Sequence, residues 1–171
     1  MIRKVFSHLF EQVEEADFVD STAILRRLSD EGVGEPAGKA NFEQTDMGLI
    51  IRLKAEGLEP GEHGVHIHEN PNVGPGEKDG KMQAGIAAGG HYDPEGTGKH
   101  LGPYGSGHLG DLPRAYALED GTLDAILLAP RLSLKDVRNR SIIIHAGGDN
   151  YSDKPEPMGG GGSRILGGVI E

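Results

Sequence analysis

The chain has no cysteine among its 171 residues. That absence excludes disulfides, thiolate zinc sites, iron–sulfur clusters and cysteine nucleophiles together. It suits a reducing compartment, although secreted proteins can also lack cysteine. Long apolar runs are missing too. None approaches the roughly 20 residues that a membrane-crossing helix needs, so no membrane partner is expected. Positive charge is also in short supply: 17 Lys+Arg against 27 Asp+Glu leave a formal net charge of −10. A nucleic-acid surface is basic, so no nucleic-acid partner is expected either. The same acidity repels small anions, and an anionic substrate would need a local positive guide.

What the chain does have is glycine, turn residues and histidine. Its 28 Gly and 10 Pro predict many turns, and 36% hydrophobic content is enough for a core. At this length one domain with one core is the default. Of eight histidines, six join one carboxylate in a set: His66, His68, His91, His100, His108, Asp111 and His145. His66-Ile67-His68 is the sharpest signal. In a strand, residues two apart share a face, so one strand offers two imidazoles to one metal while Val65 and Ile67 face a core. His91, His100, His108 and Asp111 occupy a glycine-rich stretch that can fold around an ion, and His145 ends the apolar run Ile142-Ile143-Ile144. Six imidazoles and a carboxylate exceed one tetrahedral site but suit two neighbouring ions, and imidazole favours zinc and copper over magnesium or calcium.

Two textures divide the chain. In residues 1–21, Ile2, Val5, Phe6, Leu9, Phe10 and Val13 recur at three- and four-residue steps, the pattern of an amphipathic helix. Ser7, His8, Glu11 and Gln12 interrupt it, unlike the unbroken apolar stretch of a secretory signal. This extension is expected to pack on the body or on a second subunit. Residues 22–171 read as short strands: Thr22–Ser29, Lys39–Gln44, Gly48–Ala55, His63–Glu69, Met82–Ala88, Arg114–Leu118, Leu123–Leu128, Ser141–Ala146 and Ile165–Ile170. Asp46-Met47-Gly48, Pro60-Gly61 and Asp120-Gly121 mark turns, the last a hairpin. Together these predict an all-β sandwich or flattened barrel. The long connections 70–113 and 147–164 are expected to be functional. Strand parity places His63 with Val65 and Ile67, a structural histidine, and His8 reads as a surface residue. Glu69 and Asp93 flank ligands but are expected to pair with backbone or basic groups.

These residues carry a resemblance. Gly61-Glu62-His63-Gly64-Val65-His66-Ile67-His68-Glu69 resembles the copper-binding strand of copper/zinc superoxide dismutases, and Ala88-Gly89-Gly90-His91-Tyr92-Asp93-Pro94 their bridging-histidine segment. Lys99-His100-Leu101-Gly102-Pro103 and Gly107-His108-Leu109-Gly110-Asp111-Leu112-Pro113 are similar to the zinc loop. The stretch His145–Asp153 and Gly159-Gly160-Gly161-Gly162-Ser163-Arg164 look like the bacterial branch. The resemblance covers about Thr22 to Glu171. It implies a Greek-key, immunoglobulin-like β-sandwich with long metal-binding loops. It implies an enzyme that converts superoxide to oxygen and hydrogen peroxide by one-electron cycling of copper.

Residue by residue, the resemblance implies copper on His66, His68, His91 and His145, and zinc on His91, His100, His108 and Asp111, with His91 bridging. Asp149 matches the aspartate that hydrogen-bonds one histidine of each metal, and Arg164 the arginine that guides the anion beside copper. Lys78 and Lys81 are outer guides, or else a solvated turn. A copper-storage or zinc-only structural relative with little turnover is the alternative. Most members join the loop after the copper strand to the last strand by a disulfide; here the corresponding positions are Val73 and Gly167. Cytoplasmic residence fits that departure, with a periplasmic location as the alternative. Bacterial members of the family vary between monomers and dimers, so a homodimer and a monomer both stay open.

Overall fold

The computed structural model describes residues 19–171. The expected N-terminal helix, and nearly all of the 1–21 extension, lie outside the described residues. Eleven strands follow: β1 (Ser21–Ser29), β2 (Gly32–Thr45), β3 (Gly48–Ala55), β4 (Gly61–His63), β5 (Val65–His68), β6 (Gly76–Lys78), β7 (Lys81–Gln83), β8 (Ala115–Ala117), β9 (Leu123–Ala129), β10 (Ser141–His145) and β11 (Arg164–Val169). Seven form one antiparallel sheet in the order β5-β10-β11-β1-β2-β3-β9. Strands remote in sequence thus become neighbours at β5–β10, β11–β1 and β3–β9. The small pair β4–β8 lies between the two edges, because β4 runs into β5 through Gly64 and β8 lies beside β9. The sheet curls into the flattened barrel that the strand spacing predicted.

Alternation builds the core. Ala23 and Leu25 of β1, Leu49, Ile51 and Leu53 of β3, and Val65 and Ile67 of β5 point inward with Phe42, Leu123, Ile142, Ile144 and Leu166. Strand β10 is buried on both faces. Ile142 and Ile144 face the main core, whereas Ile143 joins a separate small cluster with Val73, Ala88 and Leu28. The turns sit where their residues promised: Thr45 Oγ1 caps the β2–β3 turn on Gly48 O, and Leu118 N donates to Thr122 O across Asp120-Gly121.

Several expected boundaries need correction. Strand β2 begins at Gly32 rather than Lys39. Its first half contains Gly32, Gly34 and Pro36, which read as a loop, but it pairs with β1 alone, leaving one edge free. Proline is tolerated on such an edge. The run His63–Glu69 is two strands, broken at Gly64. Met82–Ala88 is the end of the β6–β7 hairpin followed by a 3-10 turn, Ile86–Ala88. The sequence reading missed β6 and the one-turn helix α1 (Leu134–Val137), which Ser133 and Asp136 cap reciprocally.

Candidate metal centre

Strand β5 sorts its side chains by parity. Val65 and Ile67 enter the core, and His66 and His68 emerge on the other face, fully buried beneath loops. Strand β10 pairs with β5 in the register Ile143↔His66, which brings His145 onto the same face. The other edge of β5 is stitched to the long connection: Tyr92 N donates to Ile67 O, Ile67 N to Gly110 O, and Glu69 N to Gly90 O. Those bonds hold His91 opposite His68 and Asp111 opposite His66. All seven expected ligands are buried, and they cluster.

Two groups have donor atoms close enough to share an ion: His66, His68, His91 and His145, and a second of His66, His91, His100 and Asp111. The carboxylate of Asp149 spans them, accepting His66 Nε2–H and His100 Nε2–H at 2.7 Å each. That leaves His66 Nδ1 buried without a hydrogen-bond partner, while His100 Nδ1 lies 2.9 Å from Asp111 Oδ2 in a contact outside hydrogen-bonding geometry. His108 falls outside the tightest second group, yet its Nδ1 lies 3.4 Å from Asp111 Oδ2.

On the first group the tautomers follow from the acceptors. His68 Nδ1 faces Gly89 O at 3.0 Å and His145 Nδ1 faces Gly162 O at 3.2 Å. A carbonyl only accepts, so both Nδ1 atoms carry the proton and both Nε2 atoms present lone pairs. Those two Nε2 atoms face each other at 3.4 Å. Opposed lone pairs repel unless a cation lies between, and buried unpartnered polar atoms are costly. The donor set fits a metal pair.

The electrostatics agree. Burial, then the neighbouring His91, pushes His66 and His68 well below the ordinary imidazole range. The same two causes bring His145 down to about 3. Burial also lowers His91, outweighing its 2.9 Å bond to Asp111. These imidazoles are therefore neutral near pH 7, the form that binds metals. His100 goes the other way. Burial opposes its charge, but Asp111 and Asp149 raise it to about 9. Burial likewise works against the charge of Asp111, but His100, His108 and His91 hold it well below the usual carboxylate range.

A sequence model of the copper/zinc superoxide dismutases matches residues 36–170. The chain belongs to this family. The copper/zinc superoxide dismutase of Brucella abortus is 49% identical over 90% of each chain. The solved structure of a Brucella abortus Cu/Zn superoxide dismutase covers 89% of this chain and all of its own, with a TM-score of 0.87 at 49% identity. The solution structure of the monomeric enzyme of Salmonella enterica covers 88% of this chain and 99% of its own, with a TM-score of 0.78 at 46% identity.

Arg164 lines a cavity of about 840 Å³ together with His91, His145, Lys78 and Lys81, and its Nη1 is anchored on Gly85 O at 2.8 Å. His63 stays outside both groups, its ring nitrogens 2.7 Å from His145 O and 2.8 Å from Glu59 O. Glu69 accepts Gly90 N–H, and Asp93 accepts Thr97 Oγ1–H and Gly98 N–H, so neither joins the ligands. Sequence reasoning missed Arg131. It donates to the carbonyls of Gly102, Pro103, Gly107 and His108 and so ties down the loop that bears His100 and His108. It missed Arg140 as well, stacked 3.7 Å over the Tyr92 ring next to His91 and bonded to Glu69 O. Neither arginine sits in a spacing that announces its partner.

Proposed function

We propose that the seven side chains divide as a copper site on His66, His68, His91 and His145 and a zinc site on His91, His100, His108 and Asp111. The protein is a superoxide dismutase, an oxidoreductase with copper and zinc as cofactors and superoxide as substrate. Two superoxide anions and two protons become one oxygen and one hydrogen peroxide. Copper supplies one-electron acceptance and donation, while zinc, without redox chemistry, fixes charge and geometry.

The chain's own groups do the rest. Arg164 has one guanidinium nitrogen committed to Gly85 and the remainder available to an anion in the cavity beside His91 and His145. His91 would be held by both ions. It belongs to both groups of donors, with its Nδ1 lying 2.9 Å from Asp111 Oδ1. Its Nε2 would carry a proton to the developing peroxide as a general acid. Asp149 holds His66 and His100 so that each turns Nδ1 inward.

The observation that carries this reading is the pair of facing Nε2 atoms of His68 and His145 at 3.4 Å. The test is a superoxide pulse on protein loaded with one copper and one zinc per chain. Catalytic decay in proportion to copper is expected. Stoichiometric consumption without turnover would instead identify a copper-storage protein, and failure to bind copper a zinc-only relative.

A homodimer belongs to this reading, because Tyr116 and Leu118 near β8 and Ile126 of β9 leave large apolar side chains 55%, 63% and 65% exposed. Sedimentation of the full chain checks it. A cytoplasmic location also belongs to it, since a chain without cysteine gains nothing from an oxidising compartment. Fractionation of the source cells would distinguish this from the periplasm.

A further inference from the structure

Asp149 is gripped at both ends of its backbone by side chains that are not ligands. Its N–H donates to Glu62 Oε1 at 2.8 Å, and its carbonyl accepts Arg114 Nη1–H at 2.9 Å. The same Nη1 lies 3.5 Å from Glu62 Oε1. Tyr116 Oη donates to the other Glu62 oxygen at 3.3 Å. Arg114 further lies 5.0 Å above the Tyr151 ring, and its N–H donates to Tyr151 Oη at 3.0 Å. Tyr151 N in turn donates to Asp149 Oδ1 at 2.8 Å. Residue 148 is glycine where the clasp closes: a Cβ there would lie 2.7 Å from Glu62 Oε1.

We infer that Glu62 and Arg114 are positioning residues for the metal pair, acting through the backbone of Asp149. This rests on the reading of the two groups as copper and zinc sites. One carboxylate with two 2.7 Å bonds orients a ligand of each site. A small shift of the Asp149 backbone therefore misaims His66 and His100 together. The clasp itself is a poor source of stability. Glu62 and Arg114 side chains are 32% and 36% exposed, and ion pairs that open to water contribute little. Its effect is concentrated in where Asp149 sits. Hydrogen-bond partners behind metal ligands commonly control affinity by about 10–100-fold.

The test uses the full chain loaded with copper and zinc, in the variants Glu62→Ala, Glu62→Gln, Gly148→Ala and the double Glu62→Ala/Gly148→Ala. Zinc affinity is read by chelator competition, the copper environment by its visible absorption, and global stability by melting the metal-free protein. Glu62→Ala and Gly148→Ala should each weaken zinc roughly tenfold and shift the copper band, with metal-free melting close to that of the parent. Gln keeps an oxygen to accept the Asp149 N–H and should restore most of the affinity. The double variant should be no weaker than either single, because both remove one interaction. Unchanged zinc affinity in Glu62→Ala, no rescue by Gln, or additive losses in the double variant would each overturn the inference. A parent chain that takes up no zinc would instead overturn the metal-site reading, and the clasp's role with it.

Discussion

Replacing Val73 by alanine should lower stability by about 2 kcal/mol and, separately, loosen the arginine at the active cavity. Val73 is 8% exposed and packs with fully buried Ala88 and Ile143 and with Leu28. This cluster contains Val73, one of the two positions at which the family resemblance leads one to expect a disulfide. The second corresponding position, Gly167, pairs with Ile143 across β10–β11. A Cβ on Gly167 would lie 2.6 Å from Ile143 Cδ1 and 3.1 Å from Leu28 Cδ1. The space of the missing bridge is thus filled by apolar side chains from β1, β10 and the loop. Removing two methyl groups costs about 0.8 kcal/mol each in burial, and the residual cavity adds a further fraction. For a domain of this size that predicts a melting temperature lower by about 4–8 °C. The same loop presents Gly85 O to Arg164, and Ala87 N and Asn70 N fasten it to Gly74 O and Ala88 O. Loosening it should reduce kcat/KM more than the copper content. Melting of metal-free and metal-loaded protein, with superoxide decay on the loaded form, reads both effects. A variant that melts within about a degree of the parent would refute the idea that packing replaces the bridge.

Three further outcomes are expected. His91→Ala should weaken copper and zinc together, by at least the roughly 10–100-fold that even an outer hydrogen-bonding partner is worth; a zinc titration indistinguishable from the parent would break the shared-ligand assignment. Lys78 and Lys81 line the cavity of an acidic chain, so catalysis should slow as salt screens the approach. Their double replacement by Gln should cut kcat/KM at low salt by up to about tenfold and flatten the salt profile; an unaltered profile would dismiss them as guides. The metal-free protein should lose stability on acidification. His145, lowered to about 3, binds its proton in the unfolded chain first, so stability falls as pH drops from about 6.5 towards 3, by up to about 1.4 kcal/mol per unit for this group. His66, His68 and His91 act in the same sense. His100, raised to about 9, acts oppositely, and its contribution is lost as pH rises from about 6.5 through 9. Denaturant melts across pH should peak near neutrality; a flat curve would contradict these shifts.

How far the chain could be read without its structure depends on the range of each interaction. The facing of His66 and His68 follows from strand parity alone, and the structure keeps it even though Gly64 splits the strand. The turns at Asp46-Met47 and Asp120-Gly121 were equally local. The start of β2 was hidden because Gly32, Gly34 and Pro36 look like a loop until β1 is known to pair on one side only. Arg131, Glu62 and Arg114 could not be read at all. Their partners lie tens of residues away, and a lone arginine or glutamate in the sequence carries no mark of the carbonyl or amide it will meet.

Fold and site are less separable here than the division into scaffold and chemistry suggests. The face of β5 opposite the core is covered by polar rings, while Ile143 on the same face of β10 meets apolar neighbours. Among the described residues His66 Nδ1 is buried without a hydrogen-bond partner, and His100 Nδ1 and His108 Nδ1 lie 2.9 and 3.4 Å from Asp111 Oδ2 outside hydrogen-bonding geometry. Each such group costs about 1–3 kcal/mol when left unmade, a large share of the 5–15 kcal/mol that holds a typical domain together. No disulfide offsets it, because the chain has no cysteine. The cations that give the site its chemistry also satisfy these atoms, and binding to the folded state alone stabilises it by mass action. The ligand-bearing connection between Asn70 and Pro113 is joined to β5 mainly through backbone bonds at Ile67, Glu69 and Val65. Metal occupancy therefore decides how firmly that connection, and with it the cavity wall at His91, is held.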